Sequence, residues 1–162
     1  MVTSRRSSFA LAVLLLMTAS PAHALCSEAV DREDQAVVIL RCDGVVLAVE
    51  ATAIRSPVAM MSSHPNAIQL DAGAIAIASS PPAAPFAALT PDAVASAVDG
   101  EWAILAEAGD TRASVWRGRV TLMARIDGSE RLVQAQEIDA QALDPGRAER
   151  LRRALHRALA SP

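Results

Sequence analysis

The chain has 162 residues, of which 52% are hydrophobic, 20% charged and 2% aromatic. Residues 1–24 form a predicted leader, and behind it 13 basic residues stand against 18 acidic ones, a net charge of −5. An acidic chain with few aromatic residues to stack on bases is a poor binder of nucleic acid, and the length behind the leader fits one domain with its own core.

The leader has the three parts of a secretory signal peptide. It begins with a pair of arginines, continues with an uncharged apolar run over residues 9–17, and ends with small residues that predict cleavage between Ala24 and Leu25. The run is shorter than the about 20 residues that span a bilayer. No second apolar stretch of that length follows it, so we expect no transmembrane segment in the mature chain. We expect export to the periplasm, with passage to the cell exterior as the open alternative. A lipid anchor on Cys26 is the rival interpretation, disfavoured because Leu25 rather than a small residue precedes it.

Two cysteines, Cys26 and Cys42, follow the leader. In an exported chain such a pair predicts one disulfide, here closing a loop of 17 residues that stabilises the fold by about 3 kcal/mol in the chain-entropy model. It would hold residues 28–34 against the first strand. A redox pair usually has C-x-x-C spacing, and zinc needs four ligands, whereas only His64 and His156 are further candidates. We therefore expect no metal and no cofactor.

The middle of the chain alternates short apolar runs with turn residues, which is typical of an all-β body. The first two runs, residues 36–40 and 45–49, flank Asp43-Gly44, a dipeptide that favours a tight hairpin turn. Asp127-Gly128 gives a second hairpin signal. The other predicted strands cover residues 67–70, 73–78, 102–107, 113–117, 119–126 and 131–138. Trp102 and Trp116 are both expected in the core.

Period-2 alternation orients two of these strands. In residues 102–107, Trp102, Ile104 and Ala106 share a face. In residues 119–126, one face is predicted to be apolar and the other polar. The apolar face has Val120, Leu122, Ala124 and Ile126, and the polar face has Arg119, Thr121 and Arg125.

Prolines and caps interrupt this pattern around residue 90. Four prolines in residues 79–91 cannot donate to a sheet ladder, so we expect a loop or extended connector there. Residues 92–98 are open to two interpretations. Thr90 as N-cap and Pro91 at the first position would begin a short helical turn, and a strand is the alternative.

The C-terminal segment has the marks of a helix. Asp144 is the predicted N-cap and Pro145 the first helical residue. We expect the helix to pack on the β body with its arginines in solvent. The alternative is a basic amphipathic helix on anionic lipid, which would make the chain a membrane-surface-docking protein. The predicted apolar stripe consists of Ala148, Leu151, Leu155 and Leu159.

Catalytic patterns are missing from the sequence. It has no G-x-S-x-G elbow and no glycine-rich phosphate loop. Ser62 and Ser63 adjoin His64 in sequence only, which does not make a nucleophile–base pair. Asp99 and Glu101 are the one close pair of carboxylates in a strand-like region that also has an aromatic residue. We expect a non-enzymatic chain without catalytic residues, and a small envelope hydrolase using this pair is the alternative.

Residues 67–139 contain four short sequence motifs whose order along the chain resembles that of a known family. They are Leu-Asp-Ala-Gly at 70–73, Leu-Thr-Pro-Asp-Ala-Val-Ala-Ser at 89–96, Glu-Trp-Ala-Ile at 101–104, and Thr111 through Trp-Arg-Gly-Arg-Val at 116–120. In this order they resemble the FecR-type periplasmic domain family. One place departs from the family pattern, because its Gly-Thr dipeptide is here Asp99-Gly100. The motif positions carried over are Thr90, Pro91, Gly100, Trp102, Gly118 and Val120.

The resemblance implies a mainly β fold of short stacked strands, of solenoid or roll type, and it favours a strand at residues 93–98. FecR-type proteins are sensors and regulators, some of which relay signals through a membrane helix to a sigma factor. We carry over only a non-catalytic periplasmic domain that binds an unknown envelope protein or cell-wall component. The predicted organisation is a signal peptide at 1–24, a disulfide-pinned hairpin region at 25–66, a FecR-like β domain at 67–143 and a helix at 144–162.

Overall fold

The computed structural model describes residues 26–53, 66–80, 85–107, 109–135 and 144–161. The signal peptide with its Ala24–Leu25 junction, the Ser62-Ser63-His64 group and the end of the predicted 131–138 strand lie outside these residues. Within them the structure has ten strands and one helix. The elements are β1 (Ser27–Val30), β2 (Val37–Cys42), β3 (Val45–Glu50), β4 (Ala67–Gln69), β5 (Gly73–Ser79), β6 (Phe86–Leu89), β7 (Ala93–Ala97), β8 (Gly100–Glu107), β9 (Asp110–Ala124), β10 (Glu130–Gln134) and α1 (Pro145–Ala160).

The strands form one curled, half-barrel sheet in the order β1-β2-β3-β5-β8-β9-β7-β6-β4, with β10 on the free side of β9. All neighbours are antiparallel except β4 and β6. The first part of β9 pairs with β8, and its second part pairs with β7 and β10. We call the part from β1 to β8 with the start of β9 sheet A, and the part from β4 to β10 with the end of β9 sheet B.

A corner in β9 joins the two sheets. Gly100 of β8 lies opposite Gly118 of β9, and both have positive φ, 124° and 84°. A side chain at Gly100 would begin 2.2 Å from the carbonyl oxygen of Arg117. Between the partners of Glu101 and Trp102 the register shifts, so that β9 bulges there. Only glycine permits this close backbone approach, and it is where β9 leaves sheet A.

The main core lies between the inward faces of the two sheets. It holds Trp102 and Phe86, both essentially fully buried. Trp102, Ile104 and Ala106 face this core together, as the alternation in β8 predicts. Ile75 and Ile77 of β5 point the same way, while the alanines between them face the opposite side of sheet A. A strand buried on both faces needs no polar alternation, which is why β5 reads as a continuous apolar run.

Helix α1 covers the outer face of sheet A, above β2, β3 and β5. Asp144 caps it as predicted, accepting a hydrogen bond from the Gly146 amide. The buried stripe ends at Ala158 rather than at Leu159, whose side chain is 47% exposed. The predicted stripe was wrong at its last position, because with 3.6 residues per turn Ala158, and not Leu159, faces the sheet in the last turn. The buried residues are Ala148, Leu151, Ala154, Leu155 and Ala158.

The N-terminal hairpin and its disulfide are confirmed. Cys42 pairs with Val45 across a two-residue turn, and Gly44 has the positive φ that the turn needs. Cys26 is bonded to Cys42 with 4.3 Å between their Cα atoms. The residues after Cys26 form β1, an edge strand antiparallel to β2 that sequence patterns did not indicate. Its four side chains are all exposed, so it has no apolar period to detect.

One other expectation needs correction. Residues 79–91 are not only a connector, because β6 lies between Pro85 and Pro91, where four consecutive residues keep their amides for a ladder. Residues 93–97 form a strand, β7, which is the interpretation that the family resemblance favoured. The mainly β prediction with its C-terminal helix is confirmed, while stacking of solenoid or roll type stays a prediction.

Side-chain orientations in β9 also differ from the prediction. β9 is one continuous strand across Gly118, and Val120 and Leu122 are buried as expected. Ile126 is 97% exposed because it lies in the turn beyond the strand. Trp116 is only half-buried, since the bulge places it on the outer side of sheet A against the helix cluster. Within the described residues, no helix is both long and apolar enough to span a bilayer.

Replacing Gly100 by alanine should lower the free energy of unfolding by about 3 kcal/mol or more, because the new Cβ meets backbone that cannot move aside. Gly128→Ala is the matched control. Gly128 also has positive φ, 70°, but nothing lies within 4 Å of the added carbon, so a loss of about 1 kcal/mol is expected. Urea unfolding of the oxidised proteins measures both, and equal losses would contradict the account of the corner.

Candidate functional site

Thr90, one of the family-motif residues, links the start of β7 to β9 through hydrogen bonds. The Ala93 amide donates to the Thr90 hydroxyl at 3.0 Å, the Thr90 and Thr111 hydroxyls are 2.7 Å apart, and Thr111 donates to the Asp92 carboxylate at 2.7 Å. At the other end of β9, Arg125 donates to the Thr90 carbonyl at 2.9 Å. Thr90 is 1% exposed, so this hydrogen-bonded turn serves the fold.

The other motif positions also build the fold. Gly100 and Gly118 make the corner, and Trp102 and Val120 are fully buried in the core beside it. Pro91 is the exposed residue of the Thr90 turn. The resemblance therefore identifies structural positions, and a functional surface has to be sought elsewhere.

A buried carboxylate holds α1 to sheet A. The Glu50 side chain at the end of β3 is 7% exposed. Arg147 donates to both its oxygens, at 2.7 and 2.5 Å, Arg150 donates at 2.7 Å, and the Ala74 amide at 3.1 Å. Burial alone would raise the pKa of Glu50, but the hydrogen bonds and positive charges of Arg147 and Arg150 outweigh it and hold that pKa below its ordinary value.

Other helix arginines are also engaged, which corrects the prediction of arginines in solvent. Arg157 pairs with Asp31 and, at 3.1 Å, with Glu33. Arg152 lies 5.4 Å from the ring centre of Trp116, a cation–π distance. Only Arg153, among the five, is fully exposed and has no such contact within the described residues. Most of the positive charge of α1 is thus balanced inside the protein.

The predicted carboxylate pair does not form a shared site. Asp99 lies before β8 and is exposed. Glu101, with a side chain 17% exposed, is 3.0 Å from His156 and 3.5 Å from Arg117. Glu101 is therefore part of the contact between β8 and α1.

Sheet B presents a different outer surface, on which no described element packs. Cross-strand partners align its outward side chains in two rows, and all of these side chains are partly or fully exposed. We call this surface, with Arg119 and Val98 at its end, the open face. The first row is Leu132, Thr121, Ser96, Ala87 and Ala67, and the second is Glu130, Met123, Val94, Leu89 and Gln69.

Large apolar side chains are exposed on the open face. Val98 is 58%, Leu132 46% and Met123 36% exposed, so three of the six large exposed hydrophobic residues in the described ranges lie here. A concavity of about 580 Å³ lies over the first row. Its lining is Pro85, Ser96, Ala97, Val98, Asp99, Arg119, Thr121 and Leu132.

The polar groups of this concavity are available to a ligand. The side chains of Ser96, Asp99, Arg119 and Thr121 make no hydrogen bond or ion pair with the rest of the described chain. A larger groove of about 700 Å³ lies between β1 and the end of α1, but both of its carboxylates, Asp31 and Glu33, already pair with Arg157. The open face is therefore the better candidate site.

The charge near the open face is opposite to that of the whole chain. Residues 118–134, which form β10 and the part of β9 in sheet B, contain three arginines and two carboxylates. The sequence behind the predicted leader has a net charge of −5. The sheet edge with the open face thus has a small positive charge in an acidic protein.

Sequence analysis missed most of this surface. The alternation in residues 119–126 placed Arg119 and Thr121 on the polar side of their strand, as found. The neighbours Ser96 and Leu132 come beside Thr121 only through strand pairing. No periodicity within one segment could have revealed that row.

No protein-family model matches the sequence, and no curated protein matches it either. Two crystal structures of a proposed anti-sigma factor from Parabacteroides distasonis, at 2.50 and 1.65 Å resolution, are similar to the chain with a TM-score of 0.38 each. They are 16% and 15% identical in sequence over 70% of this chain. The chain spans about half of their length, 48% and 49%. The resemblance to the FecR-type family thus rests on the residue pattern alone.

The Glu50→Gln variant should lose about 2 kcal/mol of unfolding free energy at pH 7, less than for a fully buried ion pair because both arginines reach solvent. Since the folded pKa of Glu50 lies below its unfolded value of 4.5, its contribution is present above pH 4.5 and is lost as the pH falls through the folded pKa. The gap between wild type and variant should therefore shrink in acid.

Glu107→Gln is the matched control for this test. Glu107 also pairs with Arg147, but its side chain is 48% exposed, so its replacement should cost under about 1 kcal/mol. Denaturant unfolding at several pH values between 7 and 3 measures both variants. A gap for Glu50→Gln that is unchanged across this range would contradict the assignment.

Proposed function

We propose that this chain is an exported, non-catalytic FecR-like domain that acts as an envelope sensing or protein-interaction module. Its contact surface in this proposal is the open face. The carrying observation is the contrast between the two outer faces: sheet A is covered by α1, while sheet B presents exposed Met123, Leu132 and Val98. Exposed apolar side chains gathered on one face of a small protein mark interaction sites.

The composition of the open face suits a protein partner. Interface centres are enriched in aromatic residues, Met and Arg. Met123 and Arg119 supply two of these on one surface, beside the exposed Leu132. A small molecule would need a deeper cleft that buries most of its area. We therefore favour a folded or extended protein segment as the ligand.

The contacts of the helix argue against a lipid-binding role for α1. Interfacial helices use unpaired basic residues to attract anionic headgroups. Arg147, Arg150 and Arg157 are held by carboxylates of the β1–β3 region. Within the described residues, Arg153 and Arg152, which lies over the Trp116 ring, are the helix arginines without a carboxylate partner. The carboxylate hydrolase alternative gains no support either, because Glu101 is engaged by His156 and Arg117.

The sequence pattern of residues 1–24 supports export. The Cys26–Cys42 disulfide supports it as well, since such bonds persist in oxidising compartments. Expression of the full-length chain in a Gram-negative host should yield a periplasmic protein that begins at Leu25. Amino-terminal sequencing of the fractionated protein measures this. A product retained in the cytoplasm with Met1 intact would overturn the proposed localisation, but it would not contradict the open face as the contact surface.

A photo-crosslinking residue, p-benzoylphenylalanine, placed at Met123 should give a discrete adduct with one envelope protein after ultraviolet irradiation of intact cells. Met123 is suited because it is 36% exposed on the open face, near the end of β9. The matched control carries the same residue at Arg153, exposed on α1. Mass spectrometry of the adducts identifies the partner. Adducts of equal yield from both positions, or none from Met123, would count against the proposal.

A further inference from the structure

The outer edge of β10 has no described strand beside it. Among the described strands β10 pairs only with β9. The Ala124 amide donates to the Ser129 carbonyl at 2.9 Å, and the Ala135 amide donates to the Gly118 carbonyl at 3.2 Å. Hydrogen-bonding direction alternates along an antiparallel strand, so the N–H and C=O groups of Glu130 and Leu132 point away from β9.

We propose that this edge receives an extended segment of the partner protein, which adds to β10 as a further strand of sheet B. The segment has an apolar side chain beside Leu132 and an acidic side chain two positions along, directed to Arg119. This inference rests on the proposed function and specifies how its surface is used. Strand addition of this kind takes its affinity from main-chain hydrogen bonds and its specificity from alternate side chains.

The open face explains the apolar position of the segment. The side chain of Leu132 stands on the open face, as does that of any residue paired with it on an added strand. An apolar residue there would extend the first row outward and cover the 46% of Leu132 that is exposed. Thr121 lies on the other side of Leu132, so the apolar contact would continue onto the sheet.

Charge explains the acidic position. Successive residues on one face of a strand are two apart, and neighbouring strands are about 4.8 Å apart. Arg119 is two residues from Thr121, so it lies one row along from Leu132. Because β10 lies between β9 and the added strand, Arg119 is two strand spacings, about 10 Å, from the added strand. A long guanidinium side chain and a carboxylate together cover that distance. Arg119 has no ion pair within the described chain, so its charge is available to a carboxylate of the added strand.

The other sheet edges fit this partner less well. Among the described strands β1 also has an open edge, since the Asp31 amide bonds to the Val37 carbonyl and the alternation leaves the main chain of Glu28 and Val30 pointing outward. The one charged side chain of this strand is Glu28, which would repel a carboxylate. β4 has only three residues. β1 is therefore the natural internal control.

The test uses a phage-displayed library of random eight-residue peptides, selected against the oxidised protein purified after expression of the full-length chain. Enriched peptides should share an apolar residue followed two positions later by Asp or Glu. Leu132→Pro should weaken their binding at least about tenfold, because proline removes an outward amide and is tolerated at an edge where that amide bonds to nothing. Arg119→Glu should weaken it by about tenfold as well.

Val30→Pro is the matched control, since it makes the same change at the β1 edge and should alter binding by less than about twofold. A direct readout does not depend on any variant folding. Hydrogen exchange of the wild-type protein followed by NMR should show the Glu130 and Leu132 amides exchanging quickly alone and slowly with a bound peptide.

Three outcomes would overturn the inference. They are peptides that bind Leu132→Pro and Arg119→Glu as tightly as wild type, no enrichment at all, or amides of Glu130 and Leu132 that are already protected without peptide, as in a self-associated chain. The proposed function can survive each of them. If Met123 still crosslinks to an envelope protein while the β10 amides stay unprotected, the partner binds across the open face and not along the edge.

Discussion

The fold depends on one close approach of backbone, between Gly100 of β8 and Gly118 of β9. It lets a single strand of 15 residues belong to two sheets, because β9 changes direction without a loop. The core then fills between the inward faces, with Trp102 and Val120 packed beside the corner. The same turn directs the outward face of sheet B away from α1. The corner that closes the core therefore also leaves the open face uncovered by α1.

The two sheets meet their surroundings in opposite ways. Sheet A has alanines on its outer side, and these small residues allow α1 to lie close, held by Glu50 with Arg147 and Arg150. Charges on that side are paired inside the molecule. Sheet B has larger side chains outward and an arginine, Arg119, with no described partner. Satisfied contacts stabilise a fold, and the unsatisfied ones are available for binding.

Short sequence motifs predicted the parts of the fold that depend on interactions between residues close in sequence. Asp43-Gly44 indicated the hairpin, Asp144-Pro145 the start of α1, and the cysteine pair the disulfide. Two strands escaped: β1, because all four of its side chains are exposed, and β6, because it has only four residues and lies between prolines. The pairing of Glu50 with arginines about a hundred residues later escaped as well, since it depends on the packing of α1. The open face escaped for the same reason, because strand register assembles it.

The position of α1 has a consequence for the order in which the protein matures. Chains are synthesised from the amino terminus, so β2, β3 and β5 emerge before the helix that covers them. Until α1 has been made, nothing in the described part of the chain covers the apolar outer side of sheet A, with Val37 and Ile39. The Glu50 carboxylate likewise has no arginine partner before α1 is made. Any sheet A that forms ahead of the helix is therefore an aggregation-prone surface, which α1 protects as soon as it packs.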